Sequence, residues 1–225
     1  MVVRDVMHAA RPHDVGLSFL MPSTDFCIPA GTRRVQETIK RSRFLTTVAH
    51  APSAEDAHSF IASIREEFPD ATHNCWAFVA GPPGDTAHIG MSDDGEPHGT
   101  AGRPMLTTLL HADVGEIVAV CTRYYGGVKL GTGGLSRAYS GGVSLALSEL
   151  PTLIKVDRVR VTLTASYAFS DALRRRLEQF GILVEDETFG ADVIWSLGVP
   201  VGNLDTLRAI VADITNGTGG FQVDQ

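Results

Sequence analysis

The sequence has 225 residues, enough for one large domain or two small ones with a substantial core. Hydrophobic residues make up 44% and charged residues 20%, as in an ordinary globular protein, and no apolar run approaches the ~18 residues that a membrane span requires. The formal charge of −7, with 10 basic and 14 acidic side chains in residues 22–150, argues against nucleic-acid binding through the whole surface, so any RNA contact must be a local patch.

The cysteine content and the first residues indicate the compartment. The three cysteines are an odd number without a Cys-x-x-Cys pair, and Cys75 and Cys121 lie in apolar runs where cysteine acts as a small buried hydrophobe. The first twenty residues lack the basic and apolar regions of a signal peptide. We therefore expect a cytoplasmic protein without a membrane segment.

The first half of the chain predicts an α/β domain over residues 22–150. Residues 1–21 have no clear period, which favours a disordered leader. Ser53 and Asp56 form a variant of the capping box at the start of a helix that Pro69 stops. The other predicted elements are one or two strands in 33–50, strands at 76–80 and 116–122, and helices at 100–110, capped by Thr100, and at 132–150.

Two glycines interrupt the last of these helices. Gly141 and Gly142 each lose about 1 kcal/mol relative to alanine in a helix, and close packing of the helix against the sheet would explain both. Pro151 follows and ends the domain.

Residues 151–225 predict a second domain with the element order β-α-β-β-α-β. Apolar and polar residues alternate from Val159, a helix capped by Ser170 ends at Gly181, and two strands follow. Asn203 caps a second helix before a last strand at 219–223. This order is that of the ferredoxin-like fold, so the fold class is α+β.

Glycine-dense motifs between His88 and Leu147 set the first domain apart. Glycines interleaved with Tyr, Leu and Arg at fixed points indicate backbone with φ > 0 or in close contact, rather than a flexible linker. The motifs are Ser92-Asp93-Asp94-Gly95-Glu96-Pro97, Gly99-Thr100-Ala101-Gly102, Arg123-Tyr124-Tyr125-Gly126-Gly127 and Leu130-Gly131-Thr132-Gly133-Gly134-Leu135.

In this order, the motifs resemble the signature of the IMPACT/YigZ family. The resemblance implies a first domain like domain four of elongation factor G and the GHMP kinases, and a second like domain five of elongation factor G. The eukaryotic family members regulate translation by competing for the activator of a starvation-responsive kinase. No stretch of this sequence resembles their separate partner-binding domain, so we do not carry over the kinase-regulating role.

Three carboxylates in the first motif allow two interpretations. Asp93, Asp94 and Glu96 could supply one or two ligands to Mg²⁺, together with water and a phosphate. Alternatively, they accept hydrogen bonds from nearby amides and favour the start of the following helix. The spacing is not that of an EF-hand loop, which favours the second interpretation.

The last glycine motif could bind phosphate or sulfate. A turn that leads into a helix exposes free amides at a positive dipole end, Thr132 could add a hydroxyl, and nearby cations could neutralise the charge. Tight packing of helix on sheet explains the same glycines without a ligand. The candidate residues are Gly126, Gly127, Lys129, Gly131, Thr132, Gly133, Gly134 and Arg137.

Arg123, Tyr124 and Tyr125 combine a cation with two stacking surfaces, which suits unpaired RNA bases, and Tyr139 could join them. Tyrosines also cap ordinary cores, so this alternative stays open. The most basic local run could contact phosphates or form a solvated strand face; its members are Arg33, Arg34, Lys40, Arg41 and Arg43.

These observations favour a translation-associated regulatory protein that binds RNA, the ribosome or translation factors. The alternatives are a phosphotransferase that uses the glycine-rich loop and Mg²⁺, and a protein-interaction module that uses the exposed face of the second sheet. The sequence has no nucleophile elbow, zinc motif or triad spacing, so we expect no catalytic residues and no tightly bound cofactor. It leaves the RNA species and the oligomeric state open.

Overall fold

The computed structural model describes residues 2–8 and 25–224 and divides the chain into two compact units. The first unit is Phe26–Ile154, and the second combines Met1–Asp25 with Lys155–Gln225. The predicted boundary after residue 150 lies close to this division. Val2–His8 forms strand β1, whereas the sequence favoured a disordered leader over 1–21, of which residues 1 and 9–21 lie outside the described residues.

The first unit is built on a five-stranded antiparallel sheet in the spatial order third, fourth, seventh, fifth and sixth strand of the chain. In chain order its elements are β2 (Phe26–Pro29), β3 (Arg33–Ile39), β4 (Ser42–His50), α1 (Ala54–Glu67), β5 (His73–Val79), β6 (Ile89–Ser92), α2 (Gly102–Leu110), β7 (Ile117–Tyr124) and α3 (Thr132–Ser148).

Helices cover both faces of this sheet, which explains the continuous apolar run of β7. Val118 and Val120 point to one face, where they pack with Ile61 and Ile64 of α1. The alternate residues of β7, such as Cys121, point to the other face and join the core beneath α2 and α3. The buried central strand predicted for 116–122 is therefore confirmed.

The second unit has the predicted order β-α-β-β-α-β. Strand β8 is paired with β10 on one edge and with β1 and β11 on the other, and β10 also pairs with β9. The elements are β8 (Thr152–Ala165), whose first three residues belong to the first unit, α4 (Tyr167–Gln179), β9 (Leu183–Phe189), β10 (Val193–Pro200), a 3₁₀ turn (Val201–Asn203), α5 (Leu204–Ile214) and β11 (Gly220–Val223).

Both units mix helices with strands, so the predicted α+β class with two domains is confirmed. Fully buried Trp195 and Leu197 of β10 form the core of the second unit with Leu173 and Leu177 of α4. No helix within the described residues is both long enough and apolar enough to cross a membrane.

The helix starts agree with the sequence in two cases and differ in two. Ser53 caps α1 by accepting the Asp56 amide at 3.1 Å, and α5 follows Asn203, both as predicted. Helix α4 begins after Ser166 rather than at Ser170, because the helical turn starts immediately where β8 ends. Helix α2 follows Ala101 rather than Thr100, and a distant side chain takes the capping role.

The two adjacent glycines of α3 have different environments. A Cβ atom at Gly142 would collide with the hydroxyl of Thr46 on the neighbouring strand, so the predicted close packing is correct there. At Gly141 nothing lies within 4 Å of a Cβ position and the residue is exposed. The packing explanation is therefore wrong for Gly141, which faces away from the sheet.

We predict opposite effects of the two Gly→Ala substitutions. Gly141→Ala should raise the free energy of unfolding by about 1 kcal/mol, because alanine is the better helix former. Gly142→Ala should lower it by about 1–3 kcal/mol, because buried Thr46 must move. Urea unfolding of both variants measures these changes, and effects of the same sign would contradict the packing described here.

Candidate functional site

The glycine motifs form two connections of the first unit, and a short hairpin turn adjoins one of them. Residues 93–101 link β6 to α2, and residues 125–131 link β7 to α3. The two-residue turn Lys40-Arg41 links β3 to β4 and contacts the second connection, because a side chain at Gly126 would collide with the Arg41 backbone. The Gly126 amide also donates to Ser42 Oγ at 3.2 Å.

Asp93 caps helix α2 from nine residues upstream of its first residue. Its carboxylate accepts the amides of Gly99, Ala101 and Gly102 at 2.7, 3.0 and 2.9 Å. Burial by itself would raise the pKa of Asp93, but the three backbone hydrogen bonds outweigh it and hold that pKa below its usual value. For Asp93, this geometry agrees with the second interpretation from the sequence, in which the carboxylate accepts nearby amides and stabilises the start of the helix.

Asp94 and Glu96 have different partners. Asp94 accepts the Asn74 amide at 2.7 Å and forms an exposed ion pair with Arg65 at 2.6 Å. Glu96 is 8% exposed, and its Oε1 atom accepts Arg123 Nη1 at 2.5 Å and the Tyr139 hydroxyl at 2.7 Å.

The three carboxylates therefore do not converge as ligands of one Mg²⁺ ion. Each one is held by donors from a different part of the unit, and no group of three His, Cys, Asp or Glu side chains within the described residues could hold a metal. A metal at Asp93, Asp94 and Glu96 stays a prediction to which this geometry lends no support.

Around Glu96 lies a buried polar cluster without an activated nucleophile. Tyr139 is fully buried, packs edge-on against Phe44, and has its hydroxyl 3.4 Å from Cys75 Sγ. Burial raises the pKa of Tyr139, and it also raises the pKa of the Cys75 thiol and that of Cys121, the latter to about 12. Both thiols are therefore protonated near neutral pH, and Tyr139 cannot stack on an RNA base as suggested.

Arg123 was predicted to bind RNA, but its side chain is buried and bonded within the protein. It is 5% exposed, and its Nη2 atom donates to Ser42 Oγ at 3.2 Å while Nη1 pairs with Glu96. A guanidinium in this position cannot serve as a surface phosphate contact, because it is enclosed by the sheet end and two loops. Its Nε atom is also buried and has no hydrogen-bond partner in the described structure.

The two tyrosines after Arg123 differ in exposure. Tyr124 is half-buried, its hydroxyl donates to Asp70 at 3.0 Å, and the Arg43 guanidinium lies 4.2 Å from its ring centre. Tyr125 is 47% exposed, and its amide donates to Thr72 Oγ1 at 3.0 Å. Tyr125 is therefore the better stacking surface.

A pocket of about 510 Å³ lies between the two longer connections, and we call it the Glu96 pocket. Its polar lining is Thr72, His73, Glu96, Arg123, Lys129 and Thr132, and its larger apolar members are Pro97, Tyr125, Leu130 and Leu135. Gly131, with φ of +77°, immediately precedes α3 at the pocket, and Gly133 in the first turn of the helix is exposed. Of the predicted phosphate-binding set, Lys129, Gly131 and Thr132 thus meet at one cavity.

Six cations of the first unit are exposed and form no ion pair within the described part of the chain. Two lie in the β3–β4 turn, one on β4, one at the Glu96 pocket, and two line a groove of about 420 Å³ between α2 and α3. We call this set the basic rim, and it consists of Lys40, Arg41, Arg43, Lys129, Arg103 and Arg137.

The sequence identified five members of the basic rim and missed Arg103. That residue comes beside Arg137 only because α2 packs against α3, and no local pattern carries this signal. By contrast, Arg33 and Arg34 of the predicted basic run pair with Glu149 and Glu67.

Comparison with known proteins agrees with the two-unit architecture. The family model described as the Impact N-terminal domain matches residues 40–147, and the model of a domain of unknown function, DUF1949, matches residues 163–218. The chain is 44% identical to the IMPACT family member YigZ of Escherichia coli over 191 residues, covering 85% of this chain and 94% of that protein.

Two further relatives extend the likeness. An IMPACT family member of Haemophilus influenzae is 41% identical, with 89% of this chain and 96% of that protein covered. A crystal structure described as that of a hypothetical protein is 42% identical with a TM-score of 0.63, and the match covers 90% of this chain and 98% of the other.

We predict that Asp93 stabilises the fold in a pH-dependent way. Because its folded-state pKa is lowered, its contribution is present above the unfolded pKa of about 4 and is lost as the pH falls through the folded value. Asp93→Asn should lower the free energy of unfolding by about 0.5–2 kcal/mol at pH 7. The difference in this free energy between the variant and the parent protein should shrink towards pH 2. Urea unfolding across this range is the measurement, with exposed Asp186→Asn as the control, and a difference independent of pH would contradict the role.

We also predict that the buried ion pair dominates the stability of the site. Glu96→Gln leaves Arg123 charged and buried without its partner, so the free energy of unfolding should fall by about 3–5 kcal/mol. Tyr139→Phe should cost about 1–3 kcal/mol, because one hydrogen bond is lost. Glu149→Gln breaks an exposed pair with Arg33 and should cost no more than about 1 kcal/mol. Equal losses for Glu96→Gln and Glu149→Gln would refute the structural role.

Proposed function

This chain belongs to the IMPACT family, and from that premise we propose that it is a cytoplasmic, translation-associated protein that binds single-stranded RNA through the basic rim. The translation-associated role is supported by the eukaryotic family members, which regulate translation, and by the elongation factor G-like domains that the family resemblance implies, which is an analogy of fold. The charges of the first unit support the RNA binding.

The observation that carries the proposal is the distribution of unpaired charge. The chain is acidic overall, yet the three carboxylates between β6 and α2 already have partners: Asp93 accepts amides, Asp94 pairs with Arg65 and Glu96 pairs with Arg123. The six rim cations are left exposed to solvent. Exposed cations without an ion-pair partner on neighbouring connections and helices of an acidic protein give a positive field where phosphates can bind.

The β3–β4 turn supplies a second argument. Lys40 and Arg41 both have left-handed backbone, with φ of +45° and +66°. A two-residue hairpin turn of this kind favours Asn-Gly, and side chains other than Gly, Asn or Asp are strained there. Two long cations at strained positions are consistent with a binding role that outweighs local stability.

An exposed aromatic ring lies among these cations. Tyr125 follows β7 directly and lines the Glu96 pocket together with Lys129. Aromatic side chains beside a positively charged groove are the usual means of holding single-stranded nucleic acid, because every base has a face that stacks. We favour this function over the phosphotransferase alternative, since Asp93, Asp94 and Glu96 would have to leave their present partners to bind Mg²⁺.

We predict salt-sensitive RNA binding that depends on the basic rim. Fluorescence anisotropy with a single-stranded 10-nucleotide RNA at several salt concentrations measures the affinity. Arg41→Gly, Lys129→Ala and Arg137→Ala should each weaken binding and reduce the salt slope by about 0.7, the value for one phosphate contact on a single strand. Arg175→Ala removes an exposed arginine of α4 and serves as the control. Binding that does not depend on salt, or equal losses in Arg175→Ala, would contradict the proposal.

Arg41→Gly also separates binding from folding. Glycine adopts φ of +66° without the penalty of a Cβ atom, so this variant should be as stable as the parent protein or up to about 1 kcal/mol more stable. Weaker RNA binding in a variant with undiminished stability cannot be attributed to unfolding. Thermal unfolding of the same samples provides this comparison.

A further inference from the structure

We propose that the Glu96 pocket binds one nucleotide, with the phosphate at the start of α3 and the base against Tyr125. This inference rests on the proposed RNA binding and adds the unit that the pocket takes. The bound nucleotide can be part of an RNA chain or a free mononucleotide. Competition between AMP and RNA distinguishes these two ligands.

The size and lining of the pocket suit such a ligand. Its volume of about 510 Å³ lies within the range of about 300–1,000 Å³ that is typical of small-molecule sites. Lys129 and Thr132 offer an ammonium and a hydroxyl group, whereas Pro97, Leu130 and Leu135 offer apolar surface. A nucleotide has the same division into a charged phosphate and a flat, largely apolar base.

The phosphate end is formed by the first turn of α3, which has 17 residues. The amides of a first helical turn have no acceptor within the helix, and the helix dipole favours an anion there. Nothing lies within 4 Å of a Cβ position at Gly131 or Gly133, so the backbone is open to a ligand. The exposed ammonium group of Lys129 comes three residues before the first residue of α3 and can neutralise the phosphate.

A second, independent observation comes from Arg123. This side chain is about nineteen-twentieths buried, lines the pocket, and has an Nε–H group without an acceptor in the described structure. Buried donors without a partner are rare, and each one calls for an explanation. The Nε atom itself is closed to solvent, so an oxygen of the ligand can accept this hydrogen bond only once side chains at the floor of the pocket move aside. Glu96 also lines the pocket, but Arg123 balances its charge.

The base end is formed by Tyr125. Its ring centre lies 5.4 Å from the Arg123 guanidinium carbon, its amide donates to Thr72, and the residue is 47% exposed. Stacking depends on the face of the base and hardly on its edge. We therefore expect little discrimination among the four bases.

Isothermal titration calorimetry on the full chain tests the inference with inorganic phosphate, AMP and UMP as probes. AMP and UMP should bind, both more tightly than phosphate. Tyr125→Ala should lower AMP affinity roughly 5- to 150-fold, which corresponds to about 1–3 kcal/mol of stacking, and leave phosphate affinity unchanged. Lys129→Ala should weaken both ligands. Tyr167→Ala removes an equally exposed tyrosine of the second unit, and it should change neither affinity.

Competition with a labelled 10-nucleotide RNA distinguishes this inference from the proposed function. If the inference holds, AMP displaces the RNA and Tyr125→Ala weakens both ligands. Equal affinities for AMP and phosphate, or an AMP affinity unaffected by Tyr125→Ala, would overturn it. RNA binding that AMP does not reduce would also overturn it, while the proposed function would stand. AMP binding by a chain that does not bind RNA would support the pocket and contradict the proposed function.

Discussion

The buried ion pair between Arg123 and Glu96 holds the site together. It joins the end of β7 to the loop before α2, and through Tyr139 and Ser42 it also connects α3 and the start of β4. Two charges lose their hydration in such a place, and their attraction offsets this cost only when further hydrogen bonds satisfy them. Here Tyr139 donates a hydrogen bond to Glu96, and Ser42 accepts one from Arg123. The geometry of the Glu96 pocket follows from this pair, since Tyr125 and the Asp93–Pro97 loop adjoin its two members.

The same arrangement determines which charges remain available. Carboxylates of the first unit that could have neutralised the basic rim are used inside the fold, above all Asp93 on the start of α2 and Glu96 on Arg123. An acidic chain can thus present a positive surface in one region, because net charge says little about a local field. Gly126 contributes to this surface, since only a residue without a side chain lets the Lys40-Arg41 turn approach the loop after β7.

Much of the fold could be predicted from the sequence, and the site only in part. Alternation in strands, the capping residues Ser53 and Asn203 and the glycine after α4 are local signals, so the order of elements and the family were correctly identified. The burial of Arg123 was not predicted, because arginine is normally exposed and its partner Glu96 is 27 residues away. The hydrogen bonds between Asp93 and amides at the start of α2 could be offered only as one of two alternatives, because the partners are distant in the sequence. Arg103 was missed because its neighbour Arg137 belongs to another helix.

Photocrosslinking of the full chain to single-stranded RNA that carries 4-thiouridine tests the central claim most directly. After digestion with trypsin, mass spectrometry identifies the peptide that carries the nucleotide. Our account predicts crosslinks in the peptide of residues 124–129, which contains Tyr125 and ends at Lys129, and it predicts that free AMP reduces them. Crosslinks confined to residues 155–225, or crosslinks in the first unit that avoid the basic rim and the Glu96 pocket, would contradict it.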